Sequence, residues 1–167
     1  DAAVRAGVQH VKLPLASKNP MVILRNARRL ERLLRQHDVD IVHARSRAPA
    51  WAGWLAVRRS ARKPAFVTTF HGTYGHGNAV KRWYNGVMLS GPLVIANSAF
   101  IRDHIVKVYG VNPARIVVAP RGVDTDVFTP ARRCGPNAIV NIGYVGRLSP
   151  EKNIRLLQAV ESELDAE

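Results

Sequence analysis

The sequence predicts an α/β fold with a doubly wound parallel sheet, and two observations point to it. Short apolar runs rich in β-branched residues recur at 8–13, 41–43 with the lead-in Val39, 65–70, 93–96, 116–119 and 139–145. Stretches with helical spacing separate them, at 21–36, 49–59, 78–89, 99–109 and 150–160. Apolar runs without polar alternation read as strands buried on both faces, and parallel strands need helical crossovers between them.

Two of the helices have readable ends. Asn97 or Ser98 supplies an N-cap for 99–109, which Gly110 closes, and Ser149 before Pro150 reads as an N-cap with proline at the first helical position. Such strand-to-helix junctions are where a Rossmann-like sheet places its ligand loops. Between residues 129 and 137 periodicity fails at Pro130, Arg132, Arg133, Gly135 and Pro136. The expected division is therefore a domain over 1–133 and the start of a second over 134–167, one strand, a glycine-containing turn and a helix, too little to fold alone. Both ends read as truncations. The start has no Met, no basic leader and no apolar run of spanning length, and the last helical pattern stops without a cap signal.

The charge is unevenly spread. Of 25 basic residues, 22 lie in 1–133 with only 7 of the 12 acidic ones, leaving +15 there and −2 in the remainder. No acidic residue falls between Asp40 and Asp103, where Arg45, Arg47, Arg58, Arg59, Arg62, Lys63, Lys81, Arg82 and Arg102 all lie. This points to an anionic partner, either an acidic lipid surface, a phosphorylated lipid or nucleic acid, against the plain alternative of a solvated basic surface. Cys134 is the sole cysteine, so an internal disulfide is excluded and a reducing, cytoplasmic setting is expected.

The sharpest local pattern is Gly143-Tyr-Val-Gly146-Arg147-Leu-Ser149-Pro150-Glu151-Lys152-Asn153, a strand running through a loop into a helix. Such a junction aims backbone N–H groups and the positive end of a helix dipole at one spot, with Arg147 and Lys152 as cations for a diphosphate. Elsewhere, His71 ends a strand and is followed by Gly72, expected to let the backbone turn toward a ligand. His43, Arg45 and Ser46 close the preceding strand. Each has a structural alternative: a strand-end histidine, a plain loop, an exposed lysine.

Taken together, these blocks resemble glycosyltransferase family 4, retaining enzymes of the GT-B fold. The carrying residues are Asp40-Ile-Val-His43-Ala-Arg45-Ser46, Thr68-Thr-Phe-His71-Gly72, Val94-Ile-Ala-Asn97-Ser98, Tyr109-Gly-Val, Arg115-Ile-Val-Val-Ala-Pro-Arg121-Gly122-Val123-Asp124 with Phe128 and Pro130, and the Gly143 to Asn153 block. The resemblance implies two Rossmann-like domains around a cleft, the first holding the acceptor and the second a nucleotide sugar, with UDP- or GDP-sugar as donor and neither cofactor nor metal. Gly146, Arg147 and Lys152 would meet the donor diphosphate, His71 would orient the reacting groups, and Arg45, Ser46 and Gly72 would lie on the acceptor side. Asn is frequent in the family at the position of Arg121, which leaves that residue without an inherited role. Gly122 is expected in a backbone conformation other residues avoid, and Asp124 is expected to brace its turn.

A glycine-rich loop before residue 1 and a pair of glutamates eight apart after residue 167 belong to the same pattern, so these 167 residues alone are expected to be inactive. The acceptor is expected to be a carbohydrate or a lipid-linked precursor in cell-envelope synthesis. Helix 78–89 mixes Val80, Trp83, Tyr84, Val87 and Met88 with Lys81 and Arg82, which suits an anionic membrane surface on the inner face of the cytoplasmic membrane, unless Trp83 and Met88 are core. Two other readings stay open. A sugar-nucleotide epimerase shares the two-domain design, and a basic nucleic-acid-binding module fits the charge, although no RRM, KH or helix-turn-helix pattern is present.

Overall fold

The computed structural model describes residues 5–129, 143–146, 148–156 and 159–160. These fall into two compact units, Asp1–Val123 and Asp124–Glu167. The first contains β1 (Ile41–Ala44), β2 (Ala65–Phe70), β3 (Leu93–Ala96) and β4 (Ile116–Val118), hydrogen-bonded in that order, with every pair parallel. Helices α1 (Pro20–Gln36), α2 (Arg47–Arg59), α3 (Ala79–Gly86) and α4 (Ala99–Tyr109) alternate with the strands, the α/β arrangement that the apolar runs predict.

Local chemistry sets the helix limits. Asn19 accepts the Met21 N–H at 2.9 Å ahead of Pro20, and Asn78 accepts the Lys81 N–H at 2.8 Å. Of the two candidate caps on α4 the structure selects Ser98, which accepts the Ile101 N–H at 3.2 Å, and Gly110 ends the helix at φ 65°. The core beneath is Phe66, Phe70, Val87, Met88, Val94, Ile101 and Ile105. Burying each such side chain contributes about 2 kcal/mol. Small residues on α2, among them Ala52, Gly53 and Ala56, let it lie close to the sheet; a Cβ on Gly53 would sit 3.3 Å from Val42.

Four expectations change. Residues 8–13 form no strand: Val8, Val11 and Leu13 are interrupted by Gln9, His10 and Lys12, no described strand pairs with them, and Val8 and Val11 are exposed. Helix 78–89 is split, α3 giving way to a 3-10 turn at Val87–Leu89 that carries Met88 into the core. Helix 150–160 is broken too: Pro150–Lys152 is a 3-10 turn, the Ser149 side chain makes no cap bond, and Asn153 adopts the left-handed conformation at φ 45°. Lys152 thus stands in a short turn before the break, not one turn inside a helix. Gly72 and Gly122 do not have positive φ, and a Cβ at either would meet nothing, so neither is required there by backbone geometry.

Residues 143–145 carry no strand, whereas 139–142, the predicted linker from Pro130 to Pro136, Cys134 and Arg147 lie outside the described residues. Asp124 braces its own turn as expected, accepting the N–H groups of Asp126 at 3.0 Å and Val127 at 3.2 Å.

Candidate functional site at the carboxyl ends of the strands

Parallel pairing aligns the strand ends. Ala44 lies opposite Thr68, Phe70 opposite Ala96, and Ala96 opposite Val118. The residues just past those positions, Arg45, His71, Asn97 and the segment leading to Arg121, therefore gather at one end of the sheet, where open α/β sheets bind ligands. Beyond the last β3–β4 partners, the Ala119 N–H still reaches the Ala96 carbonyl at 2.9 Å, which steers the chain on toward His71.

His71 stands between two guanidinium groups. Arg45 Nε lies 3.2 Å from its Nε2, and an Arg121 terminal nitrogen lies 2.9 Å from its Nδ1. The Asn97 side-chain amide donates to the His71 carbonyl at 3.3 Å and fixes the backbone; its Oδ1 is buried without a partner. Burial, followed by the like charges of Arg45, Arg121 and His43, holds the His71 pKa below the ordinary 6.5, so the ring is neutral at pH 7. Deeper in, His43 Nε2 pairs with Thr69 Oγ1 at 2.7 Å.

The loop that leaves His71 is anchored by residues whose role the sequence did not disclose. Asn85, fully buried, donates to the Gly75 carbonyl at 3.0 Å and to the Tyr109 hydroxyl at 3.1 Å, and accepts from Arg47 at 3.1 Å. The Arg47 guanidinium lies 4.6 Å from the Tyr74 ring centre. Tyr74 is held neutral because burial raises its phenol pKa, which the Arg47 charge opposes. A buried amide with three partners on three segments is detectable only once the fold is known.

An open cavity of about 360 Å³ adjoins this end of the sheet, lined by His43, Arg45 and Ser46 together with Leu15, Leu30 and Val42. A larger one, about 620 Å³, runs between α4 and β4 and includes none of the expected site residues. The structure thus brings Arg45, Ser46, His71 and Gly72 to one end of the first unit. In the second unit Gly146 and Lys152 are exposed, and Arg147 falls outside the described residues. Among the described residues no group of three or more His, Cys, Asp or Glu side chains gathers as for a metal ion, and no helix is long and apolar enough to cross a membrane.

A parallel sheet alternating with helices, with basic and imidazole side chains at its carboxyl ends, defines a Rossmann-like domain. Residues 2–127 match the model of Glycosyltransferase Family 4, and the chain belongs to that family. It is 30% identical over 145 residues to a D-inositol 3-phosphate glycosyltransferase of Geodermatophilus obscurus, covering 73% of this chain and 32% of the relative. A GDP-mannose-dependent alpha-mannosyltransferase of Mycobacterium tuberculosis is 29% identical over 142 residues, covering 75% and 37%. The matched part of the chain spans only 18% to 37% of the length of the curated relatives. A glycosyltransferase crystal structure from Rickettsia africae superposes with a TM-score of 0.65 at 36% identity, covering 96% of this chain and 38% of that one.

Proposed function

We propose that the protein transfers a sugar, with retention, from a nucleoside-diphosphate sugar to an acceptor hydroxyl in the synthesis of an envelope polysaccharide or glycolipid. The observation that carries this is the neutral His71 at the sheet's carboxyl end, beside Arg45 and a cavity, in a family-4 domain. In the reaction the bond between the anomeric carbon and the diphosphate breaks, the acceptor oxygen bonds to that carbon, and the acceptor's proton passes to the departing diphosphate. A neutral imidazole there can hydrogen-bond sugar or acceptor without adding charge, and it orients the reacting groups. Arg45 and Ser46, with Gly72 beside His71, form the acceptor side.

Residues 134–167 begin the donor domain in this reading. Gly146 permits close backbone approach, and Arg147 and Lys152 neutralise the charge that develops on the leaving diphosphate. The relatives' names support a nucleotide-sugar donor, GDP-mannose in one case, and a phosphorylated acceptor in another. Val80 and Trp83 are exposed on α3 next to Lys81 and Arg82, which favours contact of this helix with an anionic membrane that presents the acceptor.

Calorimetric titration of the full-length gene product with UDP and GDP tests the donor assignment. One nucleotide is expected to bind in the micromolar range, and Arg147→Ala to weaken it about tenfold or more, the loss of one charge-assisted contact. A folded protein that binds neither nucleotide would remove the basis for the transferase reading.

A further inference from the structure

The two arginines beside His71 have no carboxylate partner among the described residues. The ion pairs among the described residues lie elsewhere, at Arg59–Glu31, Arg62–Asp38, Arg62–Asp40 and Arg102–Asp103. The imidazole cannot satisfy both guanidinium groups. A neutral ring has one lone pair and one N–H, so one arginine donates to it while the other faces N–H against N–H; a protonated ring has no lone pair at all. As it stands the group is two cations held around one acceptor site, at 3.2 and 2.9 Å.

An oxyanion resolves this. Its several lone pairs accept from both guanidinium forks and from the ring N–H at once, and its charge offsets two cations that no carboxylate among the described residues neutralises. We propose that Arg45, His71 and Arg121 form a binding site for one phosphate or carboxylate group carried by a substrate. This rests on, and deepens, the reading of this end of the sheet as the acceptor side. Arg121 becomes a specificity-determining residue, and the open cavity lined by Arg45, Ser46 and Val42 leaves room for the neutral remainder of the ligand.

His71 is its own reporter. In full-length protein with isotope-labelled histidine, its ring resonances, assigned by their loss in His71→Gln, can be titrated by NMR with inorganic phosphate, using sodium chloride at matched ionic strength as control. Phosphate is expected to raise the His71 pKa by about one unit or more, as an opposite charge at this range does. In Arg45→Gln or Arg121→Gln the ligand-free pKa should already be higher, because a like charge is gone, and the response to phosphate should shrink at least severalfold. Arg121→Lys should retain part of it. Arg58→Gln, which removes a cation at the far end of α2, should leave it intact, and thermal unfolding checks that each variant is folded. A wild-type His71 that does not respond to phosphate, or a response in both Gln variants as large as that of wild type, overturns the site.

The source of the anion is read from two further ligands. A sugar monophosphate that shifts His71 at lower concentration than UDP or GDP places the anion on the acceptor, and the reverse order places it on the donor; either supports the site. No turnover is involved, so a failure of nucleotide binding in the calorimetric test sinks the transferase reading without deciding this one.

Discussion

The two ends of the same sheet treat arginine in opposite ways. At the amino end, where the chain enters β1 and β2, Arg62 bridges Asp38 and Asp40 at 2.8 Å each, and Arg59 meets Glu31 at 3.2 Å. At the carboxyl end Arg45 and Arg121 converge on a neutral histidine, with no carboxylate partner among the described residues. Paired charges at one end satisfy the fold, and unpaired ones at the other leave it waiting for an anion. If this contrast is sound, substitutions at the amino end should read out as stability and those at the carboxyl end as ligand response.

The largest stability loss is expected at the amino end, at Gly91. A Cβ there would run into the Phe66 carbonyl oxygen, which is backbone and cannot turn aside as a side chain would. Gly91→Ala must therefore push β2 and the lead into β3 apart, disturbing the packing of Phe66. A loss of about 3 kcal/mol is expected, measured as the shift in the urea midpoint. A loss below about 1 kcal/mol would show that this junction is looser than drawn.

Asn85 is the intermediate case, because it supports the carboxyl end from within the core. Asn85→Ala deprives the Gly75 carbonyl, the Tyr109 hydroxyl and Arg47 of partners together. About 2 kcal/mol of stability should go, since buried polar groups left unpaired each carry a desolvation cost. The loop after His71 should loosen as well, seen as faster hydrogen exchange across residues 72–78 than across β1. Uniform exchange across both regions would mean that Asn85 holds the core and not the loop.

How much of this was readable beforehand depends on where the information lies. Strands β2 and β3 and helix α4 stand at their expected limits, because uninterrupted apolar runs and a Ser98 to Gly110 frame are local signals. Segment 8–13 has a strand-like composition, but His10 and Lys12 break its apolar run, and a strand also needs a partner, which no local pattern supplies. The break at Asn153 was hidden because Asn can adopt left-handed backbone as well as helix. At the site, the strand-end positions of His71 and Arg45 could be read from the runs before them. Arg121 could not, since its approach to His71 depends on the register of two strand pairs, β2–β3 and β3–β4, and the family resemblance leaves it without an inherited role.

The smallest effect separates the two ends most cleanly, because it compares one residue type in two settings. Arg62 makes two ion pairs, but its side chain is 50% exposed and those of Asp38 and Asp40 are 82% and 78% exposed. Water and salt screen such pairs, and ordering the long side chain costs entropy, so Arg62→Ala should lose about 0.5 kcal/mol, less at high salt. Arg121→Ala removes a cation from beside another cation and a ring that cannot accept from both. Its stability should be unchanged or slightly higher in the absence of anion. With inorganic phosphate present the order should become clear: thermal denaturation should show wild type and Arg62→Ala stabilised alike, as any ligand that binds only the folded state requires, and Arg121→Ala left behind.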